Sequence, residues 1–125
     1  MRPILGRFTD LAHFLLRVMA GLFFAQHGAQ KLFGVLGGTQ QLGNPLLFTA
    51  GVVELVGGLL VAIGLFTSVA AFIASGQMAV AYFMSHAPRG FWPVENKGEL
   101  AALFCFVFLY VAARGSGRWA VRPDR

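Results

Sequence analysis

The sequence predicts an all-α fold, a bundle of four transmembrane helices with both termini on the cytoplasmic side. Hydrophobic residues make up 57% of the chain and charged residues 12%, against about 25% charged residues in a typical soluble domain. Four apolar segments, each of roughly 20 residues, follow one another within the chain. Most of the arginines lie in the two tails, which by the positive-inside rule places both tails in the cytoplasm.

Turn-forming residues between the apolar segments set the bounds of the predicted helices. Asn44 and Pro45 close a glycine-rich first loop, the stretch from Gly64 to Ser68 forms a tight second turn, and prolines and Gly90 mark a third loop. The third loop contains Trp92, a residue suited to the headgroup level. The sequence therefore predicts one domain, residues 1–125, with helices at about 10–33, 46–66, 68–87 and 98–114.

Glu54 is the only formally charged residue between Leu32 and Pro88. An acid near the centre of an apolar helix costs roughly 2.5–3.5 kcal/mol on insertion scales, so it normally faces a partner or a cavity. Small residues on its helix, which let a second helix approach closely in lipid, are Ala50, Gly51, Gly57, Gly58 and Ala62. We therefore expect the Glu54 face to pack against the first helix beside a polar pocket.

The depth of each polar side chain in the bilayer can be estimated from a helical rise of about 1.5 Å per residue. Side chains at similar depths can meet in the bundle. If helix midpoints are aligned, Glu54 lies between Arg17 and His27, and Arg17 becomes its candidate ion-pair partner. Tyr82 is a peripheral candidate, because it is rotated roughly 140° from Gln77 on the third helix. The candidate polar pocket, in the outer half of the bundle, consists of His27, Lys31, Glu54, Gln77 and Glu99.

Structural roles remain open for several of these residues. Arg17 and Lys31 could extend to the headgroups, and Glu54 paired with a cation could serve only to hold helices together. The N-x-x-E spacing of Asn96 and Glu99 is that of a capping box, so Glu99 could satisfy amides at a helix start.

Several function classes are disfavoured by the sequence. Nucleic acid is not an expected partner, because the basic residues form no basic face. The single Cys105 can form neither an internal disulfide nor a CxxC pair. A haem would need ligands on facing helices, and His86, the potential partner of His27, lies at a helix end. No Glu-x-x-His motif favours a di-metal site, and no complete catalytic constellation marks an enzyme.

Five short motifs, read in order, resemble the DoxX family of small four-helix bacterial membrane proteins. They are HGAQKLFG from His27, ELVGGLLVAIGLFTS from Glu54, QMAVA from Gln77, NKGE from Asn96 and GSGRW from Gly115. The resemblance implies a multi-pass protein of the bacterial inner membrane. It also implies an association with quinol-oxidase or thiosulfate:quinone oxidoreductase systems, with membrane or soluble redox partners, and with responses to quinone-like or thiol-oxidising stress.

Three hypotheses follow from the pocket and the resemblance. The leading one is a redox-associated subunit that accommodates a quinone-like or other lipophilic ligand, since a buried Glu or His could move protons at a carbonyl oxygen. The second is a structural or assembly subunit of a membrane complex with no ligand of its own. The third is a small proton-coupled transporter, for which four helices are few unless the protein forms a homo-oligomer.

Overall fold

The computed structural model describes residues 2–124, and within that range every regular element is helical and none is a strand. The predicted all-α class is thereby confirmed. Short 3-10 turns at Gly6–Phe8 and Ala87–Arg89 flank the longer elements. The α-helices are α1 (Thr9–Phe33), α2 (Pro45–Val52), α3 (Gly58–Ile63), α4 (Thr67–Ala81), α5 (Pro93–Asn96) and α6 (Glu99–Arg114), and the π-helical turns are π1 (Val53–Gly57) and π2 (Tyr82–His86).

Three helical stretches of the described chain are long and apolar enough to cross a membrane. They are Gly6–Phe33 with 28 residues, Pro45–Ile63 with 19 and Thr67–Arg89 with 23. Helix α6 has 16 residues, or about 24 Å at 1.5 Å per residue, which is less than a hydrocarbon core of roughly 30 Å. The fourth predicted segment is therefore helical, but shorter than the other three.

The second membrane-length helix runs through α2, π1 and α3 without a break. Asn44 caps its start, because the Asn44 side-chain oxygen accepts hydrogen bonds from the amides of Leu46 and Leu47 at 3.1 and 3.2 Å. It ends at Ile63 rather than at the predicted residue 66. Gly64 adopts a left-handed conformation with φ of 79°, and its N–H bonds the Leu60 carbonyl at 2.9 Å.

Helix α1 packs directly against this second helix, backbone to backbone. A Cβ atom added to Gly21 would lie 2.5 Å from the Gly58 carbonyl oxygen, and one added to Gly58 would lie 2.5 Å from the Gly21 carbonyl oxygen. A Cβ on Gly28 would lie 2.6 Å from the Gly51 carbonyl oxygen. The two helices are therefore antiparallel, and these glycine contacts fix their register.

Helices α4 and α6 form the second pair. Small side chains of α4, including the fully buried Ala71 and Ala74, pack against aromatic and aliphatic side chains of α6. Phe24 of α1 joins this core, with ring centroids 4.8 Å from Phe108 and 5.9 Å from Phe104. Because lipid tails are as apolar as the core, close packing rather than removal from water stabilises such contacts within a bilayer.

The two ends of the bundle differ. At one end, called the tail end, residues 115–124 fold back on the turn between α3 and α4: the amides of Val121 and Arg122 donate to the carbonyls of Ile63 and Gly64 at 3.0 and 3.1 Å. The other end, called the cavity end, contains the loops 34–44 and 87–98. Here a cavity separates the pair formed by α1 and the second helix from the pair formed by α4 and α6.

Candidate ligand cavity

A cavity of about 370 Å³ lies between the two helix pairs at the cavity end. Its apolar walls come from all the long helices and include Phe24, Leu47, Ala50, Met78 and Phe104. Its volume falls at the lower end of the range of small-molecule sites, about 300–1,000 Å³. The polar residues that line it are His27, Lys31, Glu54, Gln77, Ser85, His86 and Lys97.

Glu54, Lys31 and Gln77 meet on one side of the cavity, and together they are called the polar floor. The Lys31 Nζ atom lies 2.6 Å from Oε1 and 2.8 Å from Oε2 of Glu54. The Gln77 amide nitrogen donates to Oε2 of Glu54 at 3.1 Å. The Glu54 side chain is 3% exposed and that of Lys31 is 28% exposed, so the carboxylate is enclosed while the ammonium group borders open space.

These contacts offset the cost of enclosing the Glu54 carboxyl group inside an apolar helix bundle. A buried carboxylate persists when a cation and hydrogen-bond donors offset the loss of its hydration. The Lys31 ammonium has three N–H groups and the Gln77 side chain has a carbonyl oxygen. Since the Glu54 carboxylate takes two of the three Lys31 bonds, one ammonium donor and the Gln77 carbonyl remain for a molecule in the cavity.

Two π-helical turns border the cavity and carry polar side chains. Glu54 lies in π1, and His86 is the last residue of π2. A π-turn inserts one residue into the helical repeat and rotates the side chains that follow, and such turns recur at functional sites. Glu54 in π1 lines the cavity, and Gly58, directly after π1, packs against Gly21 of α1.

The two histidines line the cavity from opposite helix pairs. His27 of α1 lies edge-on to Phe104 of α6, with ring centroids 6.4 Å apart, and among residues 2–124 its ring has no hydrogen-bond partner. His86 is held by its Nδ1 atom, which lies 3.1 Å from the Asn96 carbonyl oxygen. His27 is therefore the histidine whose ring nitrogens are available to a ligand.

Two predicted site residues do not line the cavity. Glu99 is exposed at the first position of α6, so the structure does not bring it to the polar floor. The Tyr82 hydroxyl accepts a hydrogen bond from the buried Asn96 amide at 3.1 Å, which gives Tyr82 a role in holding the loop. The prediction that Asn96 and Glu99 form a capping box is also wrong. Asn96 is the last residue of α5, and its side-chain oxygen accepts a hydrogen bond from the amide of Gly98 at 2.8 Å.

The predicted ion pair between Arg17 and Glu54 is wrong. The Arg17 guanidinium, on a residue 1% exposed, lies at the tail end and donates to four carbonyl oxygens instead. Its acceptors are Ser116 at 2.6 Å, Trp119 at 3.0 Å, Arg118 at 3.2 Å and Ala62 at 3.3 Å.

The physical reason is the register of α1. The prediction aligned helix midpoints, whereas the glycine contacts place Lys31 beside Glu54 and Arg17 beside Ala62. Ala62 follows Glu54 by two helical turns, about 12 Å along the axis. The first turns of α1 thus extend past the end of α3, and the C-terminal tail covers them.

Sequence reasoning missed Lys97, Ser85 and the full extent of the apolar wall. Lys97 follows α5 in a left-handed conformation with φ of 64°, and nothing in the local pattern places it at the cavity. Within residues 2–124 no group of three or more His, Cys, Asp or Glu side chains could hold a metal ion. The polar side chains that line the cavity are hydrogen-bond donors and acceptors.

One of the comparisons with known proteins identifies a family. The sequence profile of the DoxX family matches residues 12–87, a stretch that contains Lys31, Glu54, Gln77 and His86. A protein of Haemophilus influenzae, described as uncharacterized, is 43% identical over 113 residues, which cover 85% of this chain and 84% of that protein. No solved structure matches the chain.

Proposed function

The chain belongs to the DoxX family of membrane proteins, and from that premise we propose that it binds a quinone-like ligand, or another lipophile with a carbonyl-bearing ring, in its cavity. In this proposal the protein is a redox-associated subunit, and a membrane or soluble redox protein is its partner. The observation that carries the proposal is the polar floor, three hydrogen-bonded side chains at the base of a cavity whose lining is mostly apolar.

The proposed topology places the chain in the bacterial inner membrane as one domain, residues 1–125, with four crossings and both termini in the cytoplasm. The arginine distribution supports this orientation, because Arg7, Arg114, Arg118 and Arg122 belong to the tail end. In this arrangement α6 is the fourth crossing. Its 16 residues span the bilayer if the membrane thins locally, which costs fractions of a kcal/mol per Å of mismatch.

The ligand class follows from what the cavity offers. A quinone ring is flat and apolar, with two carbonyl oxygens that accept hydrogen bonds, and its reduced form has two hydroxyl groups that also donate. The free Lys31 N–H and an N–H of the His27 ring can donate hydrogen bonds to a carbonyl oxygen. The Gln77 oxygen can accept a hydrogen bond from a hydroxyl group. The aromatic rings of Phe24 and Phe104 line the cavity and suit stacking against a flat ring.

Reduction of a quinone to a quinol consumes two electrons and two protons. In this proposal the partner protein supplies the two electrons, because the sequence contains no electron-carrier motif. The two protons come from solvent by way of the hydrogen-bonding side chains that line the cavity. The protein's own residues bind and orient the ring and donate hydrogen bonds to its oxygens. Exclusion of water by the apolar walls strengthens those hydrogen bonds.

The test is to measure the binding of a quinone to the purified protein in nanodiscs by isothermal titration calorimetry. We expect Glu54→Gln to raise the Kd of a short-chain benzoquinone about tenfold, equivalent to ~1.4 kcal/mol, because Lys31 and Gln77 lose the carboxylate that orients them. Glu99→Gln is the matched control, since Glu99 is an exposed acid outside the cavity, and its Kd should remain within about twofold of wild type.

Gln77→Met provides a second variant, which leaves the ion pair intact and removes the amide group from the floor. Wild-type protein that binds no quinone would contradict the proposal, as would equal affinity in all four proteins. If Glu54→Gln lowered thermal stability or partner recovery in a protein with no quinone affinity, the assembly role would replace the ligand-binding role.

A further inference from the structure

The cavity is more enclosed on one side than on the other, and the two sides differ chemically. Between α1 and α6 the aromatic rings of Phe24, His27 and Phe104 close the deeper part of the seam, where Phe24 and Phe104 are 1% and 7% exposed. Leu100, at the loop end of this seam, is 52% exposed. Between α2 and α4 the lining residues Leu46, Val80 and Met84 are 58%, 54% and 57% exposed. The α2–α4 seam is therefore the lateral mouth of the cavity.

Helix packing explains why this seam stays open. Helix α4 packs on π1 and α3 but scarcely touches α2. The first turns of α2 therefore stand apart from the last turns of α4 and from π2. Aliphatic side chains border this gap, and both α2 and α4 belong to membrane-length apolar helices. The lateral mouth consequently opens on a face of the bundle whose apolar composition suits contact with lipid chains.

The volume of the cavity limits what can lie inside it. About 370 Å³ holds one or two fused rings, but not a ring together with a long prenyl or acyl chain. A ligand with such a chain must leave part of itself outside. The lateral mouth is the opening with the matching chemistry, because Leu46, Val80 and Met84 offer only aliphatic contacts.

We propose that the natural ligand is a long-chain membrane lipid with a polar ring, whose ring rests on Lys31, Glu54 and Gln77 and whose chain leaves between α2 and α4 into the bilayer. This inference rests on the proposed function, which requires only that the ring bind. It adds the class of the ligand and its route of entry. A water-soluble ligand would instead enter past Ser85 and Lys97, which lie exposed at the loop side of the cavity.

The experiment uses two probes and two tryptophan variants of the full chain in nanodiscs. The probes are dimethoxy-methyl-benzoquinone without a side chain and its decyl derivative. Val80→Trp fills the lateral mouth. Val69→Trp is the matched control, since Val69 lies on the same helix, is 64% exposed and does not line the cavity. Both variants place the same side chain against lipid, so the partition of the decyl probe into the nanodisc is unchanged.

We expect Val80→Trp to weaken binding of the decyl probe at least about tenfold more than it weakens binding of the chainless probe. Val69→Trp should change neither. If both probes bind the wild type and Val80→Trp changes both equally or neither, the lateral route is overturned and the proposed function stands. If neither probe binds the wild type, both proposals fail.

A measurement on the unmodified protein guards against misfolding of the variants. A photoreactive group at the end of the decyl chain should label peptides that contain Leu46 or Met84. Labelling confined to the loop 87–98, or to the α1–α6 seam, would overturn the lateral route.

Discussion

Two cations on one helix, Lys31 and Arg17, distinguish the two ends of this protein. Lys31 at the cavity end bonds a carboxylate that another donor also contacts, next to open space. Arg17 at the tail end bonds four backbone carbonyls and no carboxylate. The cavity end retains hydrogen-bonding capacity for another molecule, whereas the tail end uses its cation to close the structure.

The chemistry of the two side chains matches their positions. The guanidinium of Arg17 is a planar fork with five donors, which suits the divergent carbonyls of a loop and of a helix end. Ala62 lies in the last turn of α3, where carbonyls lack intrahelical partners and the helix dipole is negative. The ammonium of Lys31 is a compact point charge, and it suits the two oxygens of one carboxylate.

The largest expected effect tests whether the tail end depends on Arg17. Arg17→Met leaves three tail carbonyls and that of Ala62 without their donor, so we expect a loss of roughly 3–5 kcal/mol of unfolding free energy. Thermal unfolding in detergent measures it, and limited proteolysis should detect release of residues 115–124.

Arg114→Met is its matched control, because the Arg114–Asp10 pair lies 37% and 46% exposed and should contribute less than about 1 kcal/mol. Equal stability of Arg17→Met and wild type would show that the tail docks without the guanidinium.

The next effect tests whether the cavity end is more tolerant. Glu54→Gln leaves the Lys31 ammonium without its carboxylate, but Lys31 is 28% exposed and borders a cavity that can admit water. We therefore expect a smaller loss, roughly 1–3 kcal/mol. The double variant Glu54→Gln with Lys31→Met should lose less than the sum of the single variants. Strict additivity in the unfolding free energies would mean that the ion pair contributes nothing.

A third variant tests the close contact between α1 and α3, which lies between the tail end and the cavity end. Gly21→Ala places a Cβ 2.5 Å from the Gly58 carbonyl oxygen, so α1 and α3 must separate, at a cost of about 1–3 kcal/mol. Gly76→Ala is the control, because a Cβ there meets no atom within 4 Å, and alanine favours a helix over glycine. If Gly21→Ala unfolded at a higher temperature than Gly76→Ala, the close approach of α1 to α3 at Gly21 would be contradicted.

The smallest expected effect concerns Asp124, whose side chain connects the tail to the start of α4. An oxygen of Asp124 accepts from the amide of Ser68 at 2.8 Å and thereby caps the first turn of α4 from a distance in sequence. Asp124→Ala should cost about 0.5–2 kcal/mol, as for the loss of other caps. Amide exchange at the start of α4 should rise while exchange in α1 stays unchanged. Faster exchange throughout the bundle would instead assign the tail a global role.

Much of the fold could be predicted from local pattern. The apolar runs, the cap at Asn44 and the glycine at position 64 place the helices to within a few residues. The two π-turns could not be predicted, because a π-turn has no compositional signal and arises from packing on both sides of the helix.

Of the candidate site, the sequence identified four residues that the structure places around one cavity, namely His27, Lys31, Glu54 and Gln77. Their polarity inside apolar helices was the signal. Lys97 and Ser85 carry no such signal, because a polar residue near a loop is ordinary and only the path of the chain brings them to the rim.

The sequence by itself determined that this protein is helical, that it belongs in a membrane and that Glu54 needs a cation, because each conclusion depends on the free energy of placing particular side chains in lipid. Only the tertiary structure decided that the cation is Lys31 rather than Arg17. That choice depends on helix register, which the close approach of Gly21 to Gly58 and of Gly28 to Gly51 sets, and a contact between distant residues leaves no trace in the local pattern.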